Sequence, residues 1–535
     1  MTDFSHHQER LIVRFWNLLI TALDLPDVRL DLSKEMPACI VDLSHVLGDL
    51  VPAHPTKVFA SRVPVVLTTA GRLLDTRFSD RLIHTVHTLG GEDSALVFVL
   101  PFIEKDDLET RRTSLRSELR TAGQHVVLFG REDLGRILAD PAPQRALRGF
   151  VLSQIDIAYV SPYATAGRTS DPVFFGRESE MREISDHIIQ DSYAVVGGRR
   201  IGKTSMLRRL SNHILPQLDF QTVYLDCSSI SSHPSLMHTR LREWNPPKPG
   251  LTLETFGNIL QLPPTDLPLV ILLDEVDKLL DYDREAEPRG SWPLSNQFRS
   301  FSNNGYGTFV FAGERILREV LRDSTSPFFN FVRVLRLKPL GIHAVGELVV
   351  KPMKKLEIVF SDEDAIIRRI WDVTSGHPAV VQRLCDRLVA QLAQHALRRL
   401  TPADVDQIIT DPVFIHDDFL ATYLSQATVL EHLLVLLMAK DASLCTGEDL
   451  HHALERDGIT VTLSQVIAAA ERLTDLRNIL RRTDEGYSVA VPAIQVVIPN
   501  HKRLSELVRL RREIYLHVGD IPPEYAPIDL RADLW

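Results

Sequence analysis

The sequence predicts an α/β protein whose central part is a mainly parallel sheet covered by helices on both faces. Between residues 174 and 342, five short apolar runs alternate with longer polar segments. This alternation is typical of parallel sheets whose strands are buried on both faces. The pattern then turns wholly helical from residue 343 to about residue 415. Three further helix-length segments and a predicted hairpin follow.

The length and composition predict a multidomain globular protein. A chain of 535 residues is too long for one hydrophobic core, because single cores stop growing near about 250 to 300 residues. The hydrophobic fraction of 44% and the charged fraction of 24% are ordinary for globular proteins. The net charge of -10 argues against a protein that coats nucleic acid, whose binding domain is expected to be basic.

The first predicted domain covers residues 1–158. Its runs "SALVFVLPF" and "QHVVLFG" predict buried strands, whereas "DDLETRRTSLRSELRTAG" and "REDLGRILAD" have helical periodicity. Their alternation predicts a small α/β domain. Residues 159–173 are rich in small residues and contain two prolines and a glycine, a composition that predicts a linker.

The rest of the chain is predicted to form four parts. Residues 174–342 hold the sheet, with strands at "YAVVG", "TVYLDC", "LVILLDE", "TFVFAG" and "VRVLRL". Residues 343–415 form the helical region. Residues 416–500 contain three helices and two strands about an Asp-Glu-Gly turn, the winged-helix pattern. Residues 501–535 contain a helix whose apolar residues share one face, which predicts that its basic residues face solvent.

Cysteine usage and hydropathy predict a cytoplasmic protein without a membrane partner. Cys39, Cys227, Cys385 and Cys445 have no paired spacing that indicates a disulfide framework or a zinc site. The apolar runs are far shorter than the roughly 20 residues that cross a bilayer. The first residues are charged too early and too often for a signal peptide.

The stretch "AVVGGRRIGKTSMLRRL", residues 194–210, fits the pattern G-x-x-x-x-G-K-[ST] of a phosphate-binding loop. Glycines let the backbone N–H groups approach phosphate oxygens, and the helix that follows directs its positive end at the same anion. Lys203 is expected to reach the β- and γ-phosphates, and Thr204 to offer its hydroxyl to Mg²⁺. The predicted loop comprises Gly197, Gly198, Arg199, Arg200, Ile201, Gly202, Lys203, Thr204 and Ser205.

Two arginines inside this loop, Arg199 and Arg200, have two interpretations. A loop that faces a polyanionic phosphate tolerates such charge and uses it for binding. Alternatively, the arginines are solvated or paired with neighbouring acids. The sequence leaves both interpretations open.

A second motif, "LVILLDEVDKLL", is an apolar strand that ends in two acidic residues. Asp274 is predicted to help hold Mg²⁺, and Glu275 to orient or deprotonate the attacking water. The carboxyl ends of parallel strands form the edge at which ligands of α/β sheets bind. If Glu275 does not position the water, Asp277 is the next candidate. The guanine-reading signature NKxD is absent from the sequence, so the expected nucleotide is ATP.

Four stretches, "FFGRESEM", "GGRRIGKTS", "ILLDEVDKL" and "TSGHPAVVQRLC", resemble the STAND class of AAA-like P-loop ATPases, in its archaeal-ATPase-like branch. The resemblance covers about residues 174–498. It implies a P-loop NTPase parallel sheet with a helical lid and a C-terminal winged helix, here preceded by the small α/β domain. It also implies that Phe175 and Gly176 pack on the adenine with Arg177 nearby. The lid sequence Gly376-His377-Pro378 is expected to contact the base, through Pro378, with no catalytic role for His377.

The chain departs from this family after its fourth predicted strand. Gly313, Glu314 and Arg315 stand where a polar or arginine sensor is expected. Arg315 is the residue assigned to that role, alongside Lys203 and Glu275 as catalytic groups. Arg318 and Arg322 are candidates for an arginine finger.

The resemblance implies an ATP-driven switch. ATP would tie the lid and the winged helix to the P-loop core, and hydrolysis or exchange would release them. Residues 1–158 would be an effector or sensor. The family's signalling and defence roles imply a conditional homo-oligomer.

Two other functions remain open. One is a DNA-binding ATPase similar to archaeal replication initiators, whose winged helix would place Arg472, Arg477, Arg481 and Arg482 near phosphates. Acidic residues in the same region oppose it, namely Glu471, Asp475, Asp484 and Glu485. The other is a nucleotide-stabilised scaffold that barely turns over.

Overall fold

The computed structural model describes residues 6–23, 28–31, 36–42, 62–69, 77–89, 94–100, 114–115, 117–119, 125–163, 173–228, 267–285, 291–424, 427–498 and 504–520. The chain divides into two compact units. The first comprises Met1–Ala164, Val350–Ser361 and Cys385–Thr401, and the second comprises Thr165–Val349, Asp362–Leu384 and Pro402–Trp535. The domain boundaries given above stay predictions.

The first unit contains a four-stranded sheet, which confirms the predicted small α/β domain. Its strands are β1 (Ala38–Asp42), β2 (Arg62–Thr69), β3 (Ser94–Leu100) and β4 (His125–Phe129). They are hydrogen-bonded in that order, with β1 antiparallel to β2 and the other pairs parallel. Its described helices include α1 (His6–Leu23), α2 (Phe78–Thr88), α3 (Arg131–Ala139) and α4 (Pro143–Gln154).

The sequence predicted some of the strands and helices of this unit and missed others. The runs at β3, β4 and α3 were predicted, whereas β1 and β2 were not. Most of the helix predicted over residues 106–123 lies outside the described residues, and the described residues 114–115 and 117–119 are helical.

The second unit is built on a five-stranded parallel sheet, and all five predicted strands are confirmed. They are β5 (Ser192–Val196), β6 (Gln221–Asp226), β7 (Leu269–Asp274), β8 (Thr308–Gly313) and β9 (Val332–Arg336). Their order in the sheet is β6-β7-β8-β5-β9. Each neighbouring pair is parallel.

Burial on both faces explains why these strands read as continuous apolar runs. On one face Val270 and Leu272 of β7 join a buried cluster with Tyr193. On the other face Ile271 and Leu273 join a second cluster that includes five phenylalanines, Phe298, Phe301, Phe309, Phe311 and Phe328. Because each large apolar side chain contributes about 1.5–3 kcal/mol when fully buried, a polar residue on either face would be costly.

The helices that cover this sheet are α5 (Glu178–His187), α6 (Lys203–Arg209), α7 (Asp277–Glu285), α8 (Pro293–Asn303) and α9 (Arg315–Arg322). The helix α6 continues through a π-helical turn, Leu210–Ile214, into Leu215–Gln217. The buried carboxylate of Asp283 accepts hydrogen bonds from the N–H groups of Leu294 and Ser295, each at 2.9 Å. These bonds satisfy two of the N–H groups that the start of α8 leaves unpaired.

The region predicted to be wholly helical contains four helices, α10 (Ile342–Lys355), α11 (Glu363–Thr374), α12 (Pro378–Gln394) and α13 (Pro402–Ile409), followed by the π-helical Phe414–Leu420 and by Ala421–Leu424. The prediction is wrong at two short strands, β10 (Val359–Phe360) and β11 (Arg399–Leu400), which pair in parallel. The N–H of Val359 donates to the carbonyl of Arg398 at 2.7 Å. Two-residue strands are too short to leave a period in the sequence.

Three helices and a hairpin follow, in the order predicted for a winged helix. They are α14 (Val429–Lys440), α15 (Gly447–Arg456), α16 (Leu463–Asp475) and the antiparallel strands β12 (Leu480–Thr483) and β13 (Gly486–Val489). With α17 (Pro492–Val497), residues 429–497 are called the C-terminal module below. A final helix, α18, spans Leu504–Val518.

Each helix of this three-helix group begins with a capping box. The hydroxyls of Thr428, Thr446 and Thr462 accept hydrogen bonds from the N–H groups three residues later, and the side chains at those positions, Glu431, Asp449 and Gln465, bond back. Such caps contribute about 1 kcal/mol each. The starts of these helices are therefore specified locally.

The prediction that the basic residues of α18 all face solvent is wrong at Arg511, which is 3% exposed. Its Nε donates to Nδ1 of His432 at 3.2 Å, while Nε2 of His432 donates to the carbonyl of Leu424 at 2.8 Å. Burial lowers the pKa of Arg511 to about 10 and that of His432 to about 3. The imidazole is therefore neutral at physiological pH, which lets it accept the bond from Arg511.

Among the described residues, no helix is long and apolar enough to cross a bilayer. The four cysteines are all free, and three of them are buried.

Candidate functional site

The strand order of the five-stranded sheet marks one edge as the place where a ligand is expected to bind. β5 lies between β8 and β9, whereas β6, the next strand in sequence, lies at the far side of the sheet. The direction of the connections therefore changes beside β5, and ligands of open α/β sheets bind at the carboxyl ends of strands at such a point. The loop after β5 meets the ends of β7 and β8 there.

The loop between β5 and α6 depends on glycine for two different reasons. Gly202 has φ 102°, in the left-handed region that glycine adopts freely, and a Cβ there would meet nothing within 4 Å. A Cβ on Gly197 would lie 3.2 Å from the carbonyl oxygen of Leu337, so this position has little room for a side chain. Arg200 adopts φ 58°, a left-handed conformation that costs an arginine on the order of 1–3 kcal/mol and that clusters at functional sites.

The ammonium of Lys203 is buried at the start of α6, with its side chain 4% exposed. Its Nζ donates to the carbonyls of Gly197 and Gly198, both at 2.9 Å, and to Oε1 of Glu314 at 3.1 Å. Thr204 and Ser205 lie in the same helical turn and are half-buried.

The two acids after β7 differ in their surroundings. Asp274 is 1% exposed. Its Oδ2 accepts a bond from the hydroxyl of Tyr224 at 2.7 Å, and its Oδ1 accepts one from the N–H of Glu275 at 3.0 Å. Glu275 is half-buried and has φ 54°. Burial raises the pKa of its carboxyl, as suits a group that accepts a proton near neutral pH.

Tyr224 is a site residue that the sequence did not reveal. It lies on β6 opposite Leu272 of β7, and the guanidinium carbon of Arg208 lies 3.8 Å from the centre of its ring. Burial raises the pKa of its hydroxyl well above the ordinary value, so the hydroxyl stays protonated and orients Asp274. Nothing in the local sequence pattern marks a tyrosine in a strand as a partner of a distant carboxylate.

The position predicted for the sensor is organised by Asp277. Its carboxylate accepts hydrogen bonds from the N–H of Glu314 at 2.6 Å and from the N–H of Leu317 at 3.3 Å, so it caps the start of α9. Arg315 begins that helix, and its side chain lies outside the described part of the structure.

The two arginine-finger candidates point to the C-terminal module. Arg318 forms an ion pair with Asp475 at the end of α16. Arg322 lies 3.5 Å from Glu471 and 3.4 Å from Asp475. α9 and α16 are therefore joined by charges of opposite sign.

The C-terminal module also contacts the phosphate-binding loop directly. A Cβ on Gly198 would clash with the backbone carbonyl oxygen of Leu476, the residue that follows α16. The end of α16 thus lies against both the loop and α9.

Arg177, predicted to lie near the adenine, is hydrogen-bonded to the backbone of the phosphate-binding loop. It is 3% exposed. Its guanidinium donates to the carbonyls of Ile201 at 3.0 Å and Lys338 at 2.7 Å and to Oε1 of Glu180 at 3.0 Å. The contacts hold Ile201 in place by charge-assisted hydrogen bonds.

The two segments predicted to contact the base meet at one place. Gly176 and Gly376 both have positive φ, 73° and 72°. A Cβ on Gly176 would clash with Ala344, and one on Gly376 with the carbonyl of Leu340. The neighbouring Phe175 and Pro378 are half-buried.

His377, which lies between Gly376 and Pro378 in the lid sequence, is buried, and its burial lowers its pKa to about 4. The ring is therefore neutral near physiological pH.

The two arginines of the phosphate-binding loop, Arg199 and Arg200, are exposed. Although the Arg200 side chain as a whole is exposed, its guanidinium is partly desolvated, and this desolvation, together with the like charge of nearby Arg383, lowers its pKa.

This donor set fits a magnesium nucleotide. Lys203 and Thr204 begin α6, which packs against β7, and β7 ends at the buried carboxylate of Asp274. An ammonium, a hydroxyl and a carboxylate therefore belong to the same edge of the sheet. Oxygen ligands of this kind suit Mg²⁺, and the loop supplies backbone N–H groups for phosphate.

Residues 190–321 match the family model of the AAA domain. This segment is therefore an AAA-type P-loop ATPase domain. No curated protein matches the chain.

Several solved structures are similar to this chain. A Walker-type ATPase of Pyrococcus abyssi is 14% identical, with 62% of this chain and 98% of that chain covered and a TM-score of 0.41. The ORC2 protein of Aeropyrum pernix, in ADPNP–ADP complexes, is 14% identical, with 65% and 97% covered and a TM-score of 0.46. The Holliday junction branch migration motor RuvB of Thermotoga maritima is 15% identical, with 62% and 98% covered and a TM-score of 0.36. Likeness at this level says nothing of a substrate or a partner.

Proposed function

We propose that this chain is an ATP-binding and ATP-hydrolysing switch of the STAND type, which couples its nucleotide state to the position of a C-terminal winged helix and to self-association. The observation that carries the proposal is the placement of α16. Its end touches Gly198 in the phosphate-binding loop and pairs with Arg318 on α9. A module in contact with both elements responds to whatever the loop binds.

Each residue at the sheet edge has a role in this proposal. Backbone N–H groups of residues 197–205 bind phosphate, and Lys203 reaches the β- and γ-phosphates. Thr204 and Asp274 hold Mg²⁺, which supplies charge neutralisation of the phosphate oxygens. Glu275 orients the attacking water or takes its proton. Tyr224 keeps Asp274 oriented through its hydroxyl, 2.7 Å from Oδ2.

The adenine side is proposed to be formed by Phe175, Gly176 and Pro378, with Arg177 fixing the loop from behind. This assignment follows the STAND resemblance and the meeting of both segments at residues 340–344. Arg315 remains the proposed sensor.

The remaining parts of the chain receive their roles from the same resemblance. Residues 1–158 would act as the effector or sensor, and the released module would permit a homo-oligomer to form, in signalling or defence. The proposed compartment is the cytoplasm.

DNA binding by the winged helix is the second candidate, and the ion pairs of the module weigh against it. Arg472 pairs with the buried Glu431, and Arg482 lies 2.7 Å from Glu471. Arg481 bonds to Ser488 at 3.0 Å across the hairpin. An arginine engaged in this way gives up an internal partner before it meets a phosphate.

A gel shift on duplex DNA over a range of salt concentrations separates the two candidates. A DNA reader loses affinity steeply with salt because phosphate contacts release counterions. Charge reversal at Arg481 and Arg482 would then weaken the shift. The absence of a shift at low salt leaves the switch as the better proposal.

The switch itself is tested by ATP binding and turnover. Lys203→Ala should abolish ATP binding in calorimetry while the protein stays folded, because the ammonium neutralises phosphate charge. Lys278→Ala is the matched control, since this exposed lysine lies near the same edge and bonds to the carbonyl of Ser228 at 3.3 Å. Equal ATP affinity in all three proteins would remove the proposal, and binding without turnover would favour the nucleotide-stabilised scaffold.

A further inference from the structure

The ammonium of Lys203 has three N–H donors, and three protein acceptors surround it. Two are carbonyls of its own loop, Gly197 and Gly198, at 2.9 Å. The third is the carboxylate of Glu314, at 3.1 Å, which comes from the end of β8. A phosphate oxygen that bonds to this ammonium has to displace one of the three.

Glu314 differs from the two carbonyls because it carries a negative charge. It satisfies Lys203 by the same charge-assisted hydrogen bond that a phosphate oxygen makes. It is also one of the groups whose charge acts on Glu275 to raise the pKa of that carboxyl, after burial itself. Anionic phosphates next to Lys203 would therefore meet a carboxylate of like charge at close range.

Hydrogen bonding and close packing fix the backbone at Glu314, so a movement of this residue has to be a movement of its side chain. The N–H of Glu314 is bonded to Asp277 at 2.6 Å. A Cβ on the preceding Gly313 would lie 2.6 Å from the same carboxylate and 2.9 Å from Cβ of Leu317. The Glu314 side chain itself is 21% exposed, which leaves it a path towards solvent.

We propose that Glu314 is a displaceable partner of Lys203, which competes with the phosphates of the nucleotide for the ammonium and turns away when they bind. This inference rests on the proposed function, since it requires that Lys203 bind phosphate. Glu314 is a positioning residue that sets nucleotide affinity through Lys203. Glu314 directly precedes α9, and α9 carries the arginines that pair with α16. The proposed movement of its side chain therefore takes place at the start of that helix.

The test measures the affinity of a non-hydrolysable ATP analogue with Mg²⁺ by calorimetry. Glu314→Gln keeps the size of the side chain and removes its charge, so the analogue should bind about tenfold tighter, as expected for the loss of one competing charge-assisted bond. Glu314→Ala, the second variant, should change affinity in the same direction. Glu319→Gln is the matched control, because it removes a charge from the same helix at a half-exposed carboxylate that lies 3.5 Å from Arg284.

Thermal melting adds a readout that a merely structural role would not produce. Without nucleotide, Glu314→Gln should melt below the wild type, because Lys203 has lost its charged partner. With the analogue, its melting temperature should rise by more than that of the wild type, since tighter binding to the folded state stabilises it more. A structural role would lower both temperatures and leave the rise unchanged.

The outcomes separate this inference from the proposed function. If the wild type does not bind the analogue, the proposed function fails and the inference with it. If the wild type binds and both Glu314 variants bind equally or more weakly, the role of Glu314 is overturned while the ATP site stands. Tighter binding in both variants, with Glu319→Gln unchanged, supports the competition.

Discussion

The backbone carbonyl of Leu476 lies against Gly198 so closely that no side chain fits between them. Leu476 directly follows the last residue of α16 in the C-terminal module, and Gly198 belongs to the phosphate-binding loop. A movement of the module away from the loop must begin by separating this pair.

Gly198→Ala should open this contact. The added Cβ clashes with the Leu476 carbonyl, and overpacking of this kind costs about 1–3 kcal/mol. The variant should therefore melt at a lower temperature and exchange the amide hydrogens of α16 faster than the wild type. Gly341→Ala is the control, because a Cβ there would meet nothing within 4 Å. Equal exchange in α16 for the wild type and Gly198→Ala would contradict the close contact.

Arg318 and Asp475 should prove energetically coupled. Their side chains are 11% and 20% exposed, so solvent screens the pair only in part. In a double-mutant cycle with Arg318→Ala and Asp475→Ala, the double variant should lose less free energy of unfolding than the sum of the single variants. The expected difference is roughly 0.5–3 kcal/mol. Additive losses in denaturant unfolding would mean that the ion pair contributes nothing to stability.

Glu275→Gln should separate binding from hydrolysis. Glutamine keeps the size of the side chain but does not accept a proton, and the loss of a general base typically lowers the rate by about 10²- to 10⁴-fold. ATP affinity should stay close to that of the wild type, because Lys203, Thr204 and Asp274 remain. If steady-state turnover is unchanged in Glu275→Gln, the water is positioned by another group, and Asp277 is tested next.

Turnover should fall as the pH is lowered. Glu275 accepts a proton only when ionised, and burial raises its pKa above the ordinary value for a glutamate. Protonation therefore begins at a higher pH than for an exposed glutamate, and kcat should decline through that range while thermal melting at the same pH values shows the protein still folded. A kcat that follows the pH profile of unfolding instead would point to loss of structure.

The sequence predicted the sheet and the two nucleotide motifs because both leave local signals. Strands buried on both faces read as apolar runs, and the loop around Lys203 has a fixed spacing. The partners of these motifs were not predictable: Tyr224 bonds to Asp274 across two strands, and Glu314 reaches Lys203 from a strand far along the chain. Pairings between distant residues follow from the fold and leave no period in the sequence.

The same limit explains two corrections outside the site. Arg511 was assigned to a solvated face from its helix alone, but the partner that buries it, His432, belongs to another helix. The strands β10 and β11 were missed because two residues each are too few for a pattern.

The capping boxes of the C-terminal module affect the expected timescale on which the module would leave the phosphate-binding loop. Each of its first three helices carries its own start signal, and α14 is buried along almost its whole length. The module is therefore expected to keep its internal structure when α16 leaves the loop, so that no helix has to nucleate again. Its departure would be a rigid-body motion, of the kind that takes microseconds to milliseconds, rather than a cycle of unfolding and refolding.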